Sequence, residues 1–165
     1  LLEVEVKARC GDVRERLKEL GARYIQTEFQ HDVYFTHPCR DFRETDEALR
    51  IRRVKDRFYL TYKGPKLDSE TKTREELEYE VPEGVREILL KLGFSEYGTV
   101  KKKRESYEVE GLEVCLDEVE GLGSFIEIES RDVGDKDRIF KLLEKLGIPP
   151  GDCALKTYLE LLEGA

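Results

Sequence analysis

Every even-numbered residue from Leu2 to Ala8 is apolar, and the odd positions between them hold Glu3, Glu5 and Lys7. Side chains two apart on a β-strand share a face and sit ~7 Å apart, so this segment offers one apolar face and one face of charges in register. The design returns near the end of the chain, where Glu127 and Glu129 alternate with Ile126 and Ile128. A fold that uses both segments must bury the apolar faces in one place and collect the charges in another. One such strand would make an ordinary solvent-facing edge. Several, with carboxylates on some and paired cations on others, point to a charged site for a metal and a polyanion.

Periodicity and punctuation divide the rest of the chain. A strand at 2–9 leads to a helix that starts at Asp12, with Glu15 as a capping-box partner, and stops at Gly21. Residues 23–36 are extended. Strands are expected at 48–55 and 57–63, a flexible loop at 64–73 (GPKLDSETKT), and a strand at 74–81. Pro82 suits the first turn of a second helix ending at Gly93. Strands follow at 97–109, 112–119 and 124–131, then a helix at 135–146 and a final helix at 153–163. The Gly121-Leu122-Gly123 segment reads as a tight hairpin in preference to a phosphate contact. A weak repeat runs through this order: a charged alternating strand, a helix, and Leu-Gly at 20–21, 92–93 and 146–147. Strands with covering helices suit an antiparallel sheet coated on its apolar side. So many strands with so few helices favour closure over an open sheet with bare edges. The expected fold is α+β: an eight-stranded antiparallel β-barrel with helices packed outside, a single domain spanning 1–165, and the charged faces turned inward to line a tunnel.

Composition removes several alternatives. A net charge of −8 argues against non-specific nucleic-acid binding, and Lys101 to Arg104, the one basic run, reads as a strand with cations on both faces. With 40% charged residues and no long apolar run, no membrane span is expected. The N-terminus lacks a secretory pattern, so a cytoplasmic protein is expected, and without an initiator Met the sequence is expected to start inside its gene product. The four cysteines form no C-x-x-C pair and read as reduced thiols, with Cys10, Cys115 and Cys153 as core or near-surface residues. Two histidines, His31 and His37, are too few for an imidazole-based zinc site. No Cys/His or Ser/His arrangement offers a covalent nucleophile. The absence of Asn, with only Gln26 and Gln30 as side-chain amides and abundant Glu, Lys and Arg, is the composition expected of a hyperthermophile protein.

The inward candidates form two sets. Glu3, Glu5, Asp117, Glu127 and Glu129 are carboxylates suited to Mg²⁺ or Mn²⁺, hard cations that take oxygen ligands. Lys7, Arg50, Arg52, Lys63, Lys102 and Arg104 are cations, and the arginines offer forked donors for phosphate oxygens. Together these leave about +1, and one or two divalent ions raise it to about +3 to +5, which suits a triphosphate near −4. Alternating charges on strands are usually solvated faces, and by pattern alone that reading carries more weight. Glu76, Glu78 and Glu80 alternate in the same way and are open to reading as an outer face.

The ordered motifs change that balance. Glu3-x-Glu5-x-Lys7 is followed by Asp32-Val33-Tyr34-Phe35, Leu49-Arg50-Ile51-Arg52, Tyr62-Lys63-Gly64-Pro65, the 102–107 segment KKRESY and Leu116-Asp117-Glu118-Val119. GLGSFIEIE at 121–129 and KTYLEL at 156–161 complete the series. In this order, along the whole chain, they resemble the CYTH superfamily of triphosphate tunnel metalloenzymes, most closely its class IV adenylyl cyclase branch, archaeal members included. Members of that branch often carry His-Phe before the first Glu, a segment on which the expectation of cyclase activity partly depends. The resemblance implies an eight-stranded tunnel in which Glu127 and Glu129 bind the principal metal, Mg²⁺ or Mn²⁺, and Asp117, Glu3 and Glu5 add metal or water contacts. Lys7, Arg50, Arg52, Lys63, Lys102 and Arg104 would clamp the triphosphate, and Glu3, Glu5, Lys7, Lys63 and Asp117 form the expected catalytic set. The implied reaction is conversion of ATP to cyclic AMP and pyrophosphate. Hydrolysis of tripolyphosphate, thiamine triphosphate or a nucleoside triphosphate is the alternative, and a non-catalytic polyphosphate or nucleotide sensor the third reading. The expected partner is a small-molecule triphosphate, with no nucleic acid and no membrane. A homodimer stays open, because no stripe in the sequence marks an interface.

Overall fold

The alternating segments close on themselves in the computed structural model, which describes residues 1–164. Strands β1 (Leu2–Arg9), β2 (Arg23–Thr36), β3 (Ala48–Val54), β4 (Arg57–Lys63), β5 (Arg74–Val81), β6 (Ser95–Val109), β7 (Leu112–Val119) and β8 (Gly123–Ser130) form one antiparallel sheet in the order β5-β4-β3-β2-β6-β7-β8-β1. Leu2 and Glu3 then pair with Glu75 and Arg74 of β5, which completes an eight-stranded barrel. The rest of that seam is covered in two steps. The Lys72 N–H donates to the Glu5 carbonyl at 2.8 Å, and a two-residue strand, β9 (Cys153–Ala154), pairs with Lys7 and Ala8. Closure leaves the backbone groups along β1 without a bare edge.

Most of the hydrophobic core lies outside this barrel. Val4, Val6 and Ala8, with Val114, Leu116, Ile126 and Ile128, face outward and are buried under α1 (Arg14–Glu19) and α3 (Lys136–Lys145) through Leu17, Ile139, Leu142 and Leu143. A second apolar layer, Phe35, Ile51 and Leu89, seats α2 (Val85–Lys91) on the opposite wall. A third closes one end of the tunnel: Tyr34, Ala48, Val100, Val119 and Phe125 meet Tyr158 and Leu159 of α4 (Tyr158–Glu163). Gly98 permits that closure, since a Cβ there would stand 2.4 Å from Leu159 Cδ1. Each large apolar side chain buried in these layers contributes roughly 1.5–3 kcal/mol, and these layers are where the fold gains stability that the charged part of the interior cannot supply.

The Leu-Gly repeat has a local cause. Gly21, Gly93 and Gly147 all take positive φ, and the N–H of the following residue reaches back to Leu17, Leu89 and Leu143 respectively, the 6→1 bond of a Schellman cap. Gly121 and Gly123 likewise have φ of 83° and 91° and make the β7–β8 hairpin. Several boundaries differ from the sequence reading. α1 is shorter than 12–21, because Asp12 caps Arg14 N–H from outside the helix and Val13 is its N-cap. Pro82 precedes α2 by three residues, accepting from Val85 N–H in a turn. The final helix starts at Tyr158, not 153, with Thr157 Oγ1 accepting from Glu160 N–H, while Cys153 and Ala154 are drawn into the sheet. The 64–73 segment forms no regular strand, but Thr71 and Lys72 are buried, so its end is part of the barrel wall. Among the described residues, no helix is long and apolar enough to cross a membrane.

Candidate functional site

Barrel alternation sends the odd residues of β1 inward, and the antiparallel registers carry the same face around the wall. Glu5 lies opposite Glu129, Lys7 opposite Glu127, Arg104 opposite Asp117, and Lys63 opposite Glu76. All of these but Asp117 line a cavity of about 250 Å³. Of the residues singled out in the sequence, Glu3, Glu5, Lys7, Arg50, Lys63, Lys102, Arg104, Asp117 and Glu127 are all buried, and Arg52 and Glu129 are partly buried and line the same cavity. The basic run splits as its alternation requires: Lys102 and Arg104 inside, Lys101 and Lys103 exposed.

The carboxylates do not act as one group. Glu3, Glu5 and Glu129 have oxygens within 4.8 Å of one another. Asp117 and Glu127 stand apart and are spoken for. Arg104 forks onto Asp117 at 2.7 and 2.6 Å and reaches Glu127 at 2.7 Å, Tyr158 Oη donates to Asp117 at 2.7 Å, and Lys7 Nζ is 3.3 Å from Glu127. Burial opposes ionisation of both, yet for Asp117 the guanidinium of Arg104 and the ammonium of Lys102 outweigh it, and for Glu127 the charges of Lys7, Arg104 and Lys102 do. Both carboxyls are therefore held below the usual range.

The Glu3–Glu5–Glu129 trio behaves differently. Burial raises Glu129 to about 7; Arg104 opposes this, and Glu113, Glu5 and Glu127 add to it. Burial raises Glu3 to about 10 against the pull of Lys63, helped by a hydrogen bond shared with Glu76. Glu5 stays ionised at about 2: burial and Glu127 push it up, but Lys72, Lys63 and Lys7 outweigh them. Three crowded oxygen donors, two of them raised by burial and by neighbouring carboxylates, fit a hard divalent cation. The second cluster, Glu113, Cys115 and Glu129, is less suited, because burial pushes the Cys115 thiol far up and keeps it neutral.

The cations converge from the other walls. Arg52 forks onto Asp32 at 2.7 and 2.8 Å. Arg50 is buried, and its Nε has no hydrogen-bond partner among the described residues. Lys7 and Lys102 both rest on the Tyr158 ring, 3.7 and 4.7 Å from its centroid. Burial, then Lys72, lowers Lys7 to about 7 despite Glu127, while burial, then Arg104, lowers Lys102 to about 8 despite Asp117. An anion placed here would restore both charges.

The sequence reading missed part of the wall. Lys72 Nζ lies 2.8 Å from Glu5; Arg74 is buried; Glu76 pairs with Lys63 at 3.0 Å; Glu78 accepts from Thr61 at 2.6 Å. All four line the tunnel, as does Arg131. Glu76 and Glu78 thus do not form the outer face left open above, whereas Glu80 is exposed and pairs with Arg57. The signal was present: Lys72, Arg74, Glu76 and Glu78 continue one period-2 face from the loop into β5. Tyr158 gave no such signal, since its place depends on how α4 docks.

A closed antiparallel barrel lined by carboxylates and cations makes a charged tunnel whose carboxylate trio could hold a metal and whose cations could hold an anion. The chain belongs to the CYTH domain family, whose pattern it matches over residues 1–158. It is 45% identical to a Methanocaldococcus jannaschii protein named "Putative adenylate cyclase", over 98% of each chain. It is 30% identical to an inorganic triphosphatase of Acetivibrio thermocellus, over 64% of this chain and 65% of that one. Among solved structures, the PH1819 protein from Pyrococcus horikoshii superposes with a TM-score of 0.88 at 43% identity, over 98% of both chains.

Proposed function

We propose that this chain is a divalent-metal-dependent enzyme that holds a linear triphosphate in its tunnel and converts ATP to cyclic AMP and pyrophosphate. The observation that carries the triphosphate part is the convergence, in one cavity, of a crowded carboxylate trio with buried cations, one of which keeps an unpaired donor. Glu3, Glu5 and Glu129 would hold Mg²⁺ or Mn²⁺, whose contribution when bound is to neutralise phosphate charge and position the reacting oxygens. Arg50, Arg52, Lys63, Lys102 and Arg104 bind and orient the phosphates, with Lys7 between the two sets. Asp117 and Glu127 serve this arrangement by fixing Arg104 and Lys7, a role different from the direct metal contact that the resemblance implied. Phosphoryl transfer needs this positioning and charge stabilisation more than a covalent nucleophile. The cavity of about 250 Å³ is below the ~300–1,000 Å³ of pockets that enclose drug-sized ligands. The phosphates would be enclosed and the nucleoside end held at the mouth, where the 3′-oxygen meets the α-phosphorus and pyrophosphate leaves.

Cyclisation is supported by the full-length relative named as an adenylate cyclase. Hydrolysis of a triphosphate is the second reading, supported by the relative named as an inorganic triphosphatase. Both use the same cradle and differ in which phosphorus meets the nucleophile. The deciding experiment incubates purified protein with Mg²⁺ or Mn²⁺ and either ATP or tripolyphosphate, and separates cyclic AMP, pyrophosphate and orthophosphate. Cyclic AMP with equimolar pyrophosphate supports cyclisation, and orthophosphate alone supports hydrolysis. Binding without any product would leave a nucleotide or polyphosphate sensor.

A further inference from the structure

Both oxygens of Glu3 are claimed by cations. Lys63 Nζ lies 3.9 Å from Glu3 Oε1, and Arg131 Nη1 lies 3.6 Å from Glu3 Oε2. The same two cations meet Glu76, Lys63 at 3.0 Å and Arg131 at 3.6 Å, so the four side chains form a closed ring where the tunnel meets solvent. The two cations are held differently. Lys63 is buried in the barrel wall, whereas the Arg131 side chain is 61% exposed. Among the described residues it is held by these two contacts, both longer than a hydrogen bond. Its backbone is fixed by comparison. Arg131 follows Ser130, the last residue of β8, whose Oγ accepts from Asp132 N–H at 3.1 Å and donates to Asp135 at 2.6 Å. Motion of Arg131 is therefore a change of rotamer from a set position on the wall of the cavity that it lines.

Glu3 cannot serve a guanidinium and a divalent cation with the same oxygen. As a metal ligand it would bring a second, larger positive charge beside Arg131, and a guanidinium cannot relieve that repulsion by losing its proton. Arg131 has solvent on one side and the cavity on the other, and Glu76 keeps Lys63 without it. Its forked donors match phosphate oxygens. We propose that Arg131 is a coupling side chain: it occupies Glu3 while the carboxylate trio is without a divalent cation, yields Glu3 when the trio takes one up, and turns onto the phosphates that arrive with it. Metal and anion then bind more tightly together than apart, in part because one arginine changes acceptor between them. Arg131 acts through Glu3, so this coupling depends on the metal reading of Glu3, Glu5 and Glu129 given above.

Equilibrium binding tests this without turnover. Mn²⁺ affinity is measured by electron paramagnetic resonance, and that of a non-hydrolysable tripolyphosphate analogue by calorimetry, each with and without the other, in wild type, Arg131→Gln and Arg131→Lys. Exposed ion pairs correspond to changes of up to about fivefold in an equilibrium constant. Arg131→Gln should therefore bind Mn²⁺ alone about fivefold more tightly, the analogue alone within about twofold of wild type, and the analogue with Mn²⁺ about fivefold more weakly. The factor by which either ligand tightens the other then falls about fivefold, and Arg131→Lys, which keeps the charge, should restore most of it. A general charge effect shifts each affinity by the same factor whether or not the other ligand is bound, so an unchanged coupling factor overturns the proposal. Weaker Mn²⁺ binding by Arg131→Gln also overturns it, since the arginine would then be a support for Glu3. Both variants should melt within about 4 °C of wild type, and a larger loss would show a structural bond in place of a movable one. A wild type that binds no Mn²⁺ refutes the metal reading itself, a result distinct from Mn²⁺ binding with unchanged coupling.

Discussion

The pair Asp32–Arg52 allows the charged interior to be tested without any knowledge of the reaction. Asp32 is 1% exposed and receives both prongs of the Arg52 guanidinium. Removing one partner of a buried pair leaves an uncompensated charge and costs about 3–5 kcal/mol, whereas replacing both by apolar side chains of similar volume is often neutral. Asp32→Leu belongs at the top of that range, because Arg50 and Lys102 also draw on this carboxylate. Arg52→Met belongs lower, since Arg50 and Lys102 still face the remaining Asp32. For a chain of this length each kcal/mol moves Tm by ~2–4 °C, so the single variants should lose roughly 6–20 °C and the double variant far less. Urea titration of metal-free protein at low salt measures this directly; guanidinium would screen the charges in question. The pH dependence has a definite sign. Burial opposes ionisation of Asp32, but Arg52, Arg50 and Lys102 hold it below its unfolded value of about 3.9, so its contribution is full above that pH and fades as pH falls. Tripolyphosphate should stabilise Asp32→Leu more than wild type, because the anion replaces the missing carboxylate. Single-variant losses that sum to the double-variant loss within ~0.5 kcal/mol would refute the reasoning.

Three further outcomes follow from the same geometry. Lys7 and Lys102 sit at about 7 and about 8, so triphosphate binding should take up protons near pH 8 and weaken as pH rises from 7 to 9; calorimetry in buffers of different ionisation enthalpy detects the uptake, and none would place these lysines off the ligand. Glu129→Gln should abolish Mn²⁺ binding measured by electron paramagnetic resonance, while Glu127→Gln should weaken it less and lower stability more, because its neighbours Arg104 and Lys7 lose a partner; equal effects on both measures would count against the division of roles. Gly98→Val should push Leu159 aside and loosen α4, seen as early hydrogen exchange at 158–163, whereas unchanged protection would show that the end of the tunnel tolerates the added bulk.

The fold was legible because each strand states its two faces in its own residues. Leu2 to Arg9 and Phe125 to Ser130 could be assigned inward and outward sides by counting. What counting could not supply is information held in partners. Asp117 and Glu127 look like metal ligands in sequence, since they are carboxylates on the right face; only the position of Arg104 shows that their oxygens are engaged. Lys72 was hidden by its context, a polar loop of Gly, Pro, Asp and Ser that reads as mobile until the Glu5 carbonyl is seen to accept its N–H. Thr157 to Glu160 carried a capping-box spacing that would have placed the start of α4 correctly, but the leucines around it suggested a longer helix.

The pairings inside the tunnel also constrain how it can work. Lys72 satisfies Glu5, Lys63 bridges Glu76 and Glu3, Arg104 bridges Asp117 and Glu127, and Arg52 is committed to Asp32. A tunnel of bare like charges would not fold, because burying unpaired ions costs several kcal/mol each even after relaxation. The interior has therefore been balanced internally, and a metal or phosphate that enters must exchange partners with residues already paired. A cation alone gains the trio's carboxylates but meets the ammonium of Lys72 at Glu5. A polyanion alone would gain Arg50 Nε and recharge Lys7 and Lys102, but it would face Glu127. Entering together, the two bring opposite charges to opposite sides of Lys7 and offset the repulsion that each meets singly. If the proposed function holds, the paired interior would favour a metal–triphosphate complex over either component, by a coupling that resides in the exchange of salt bridges.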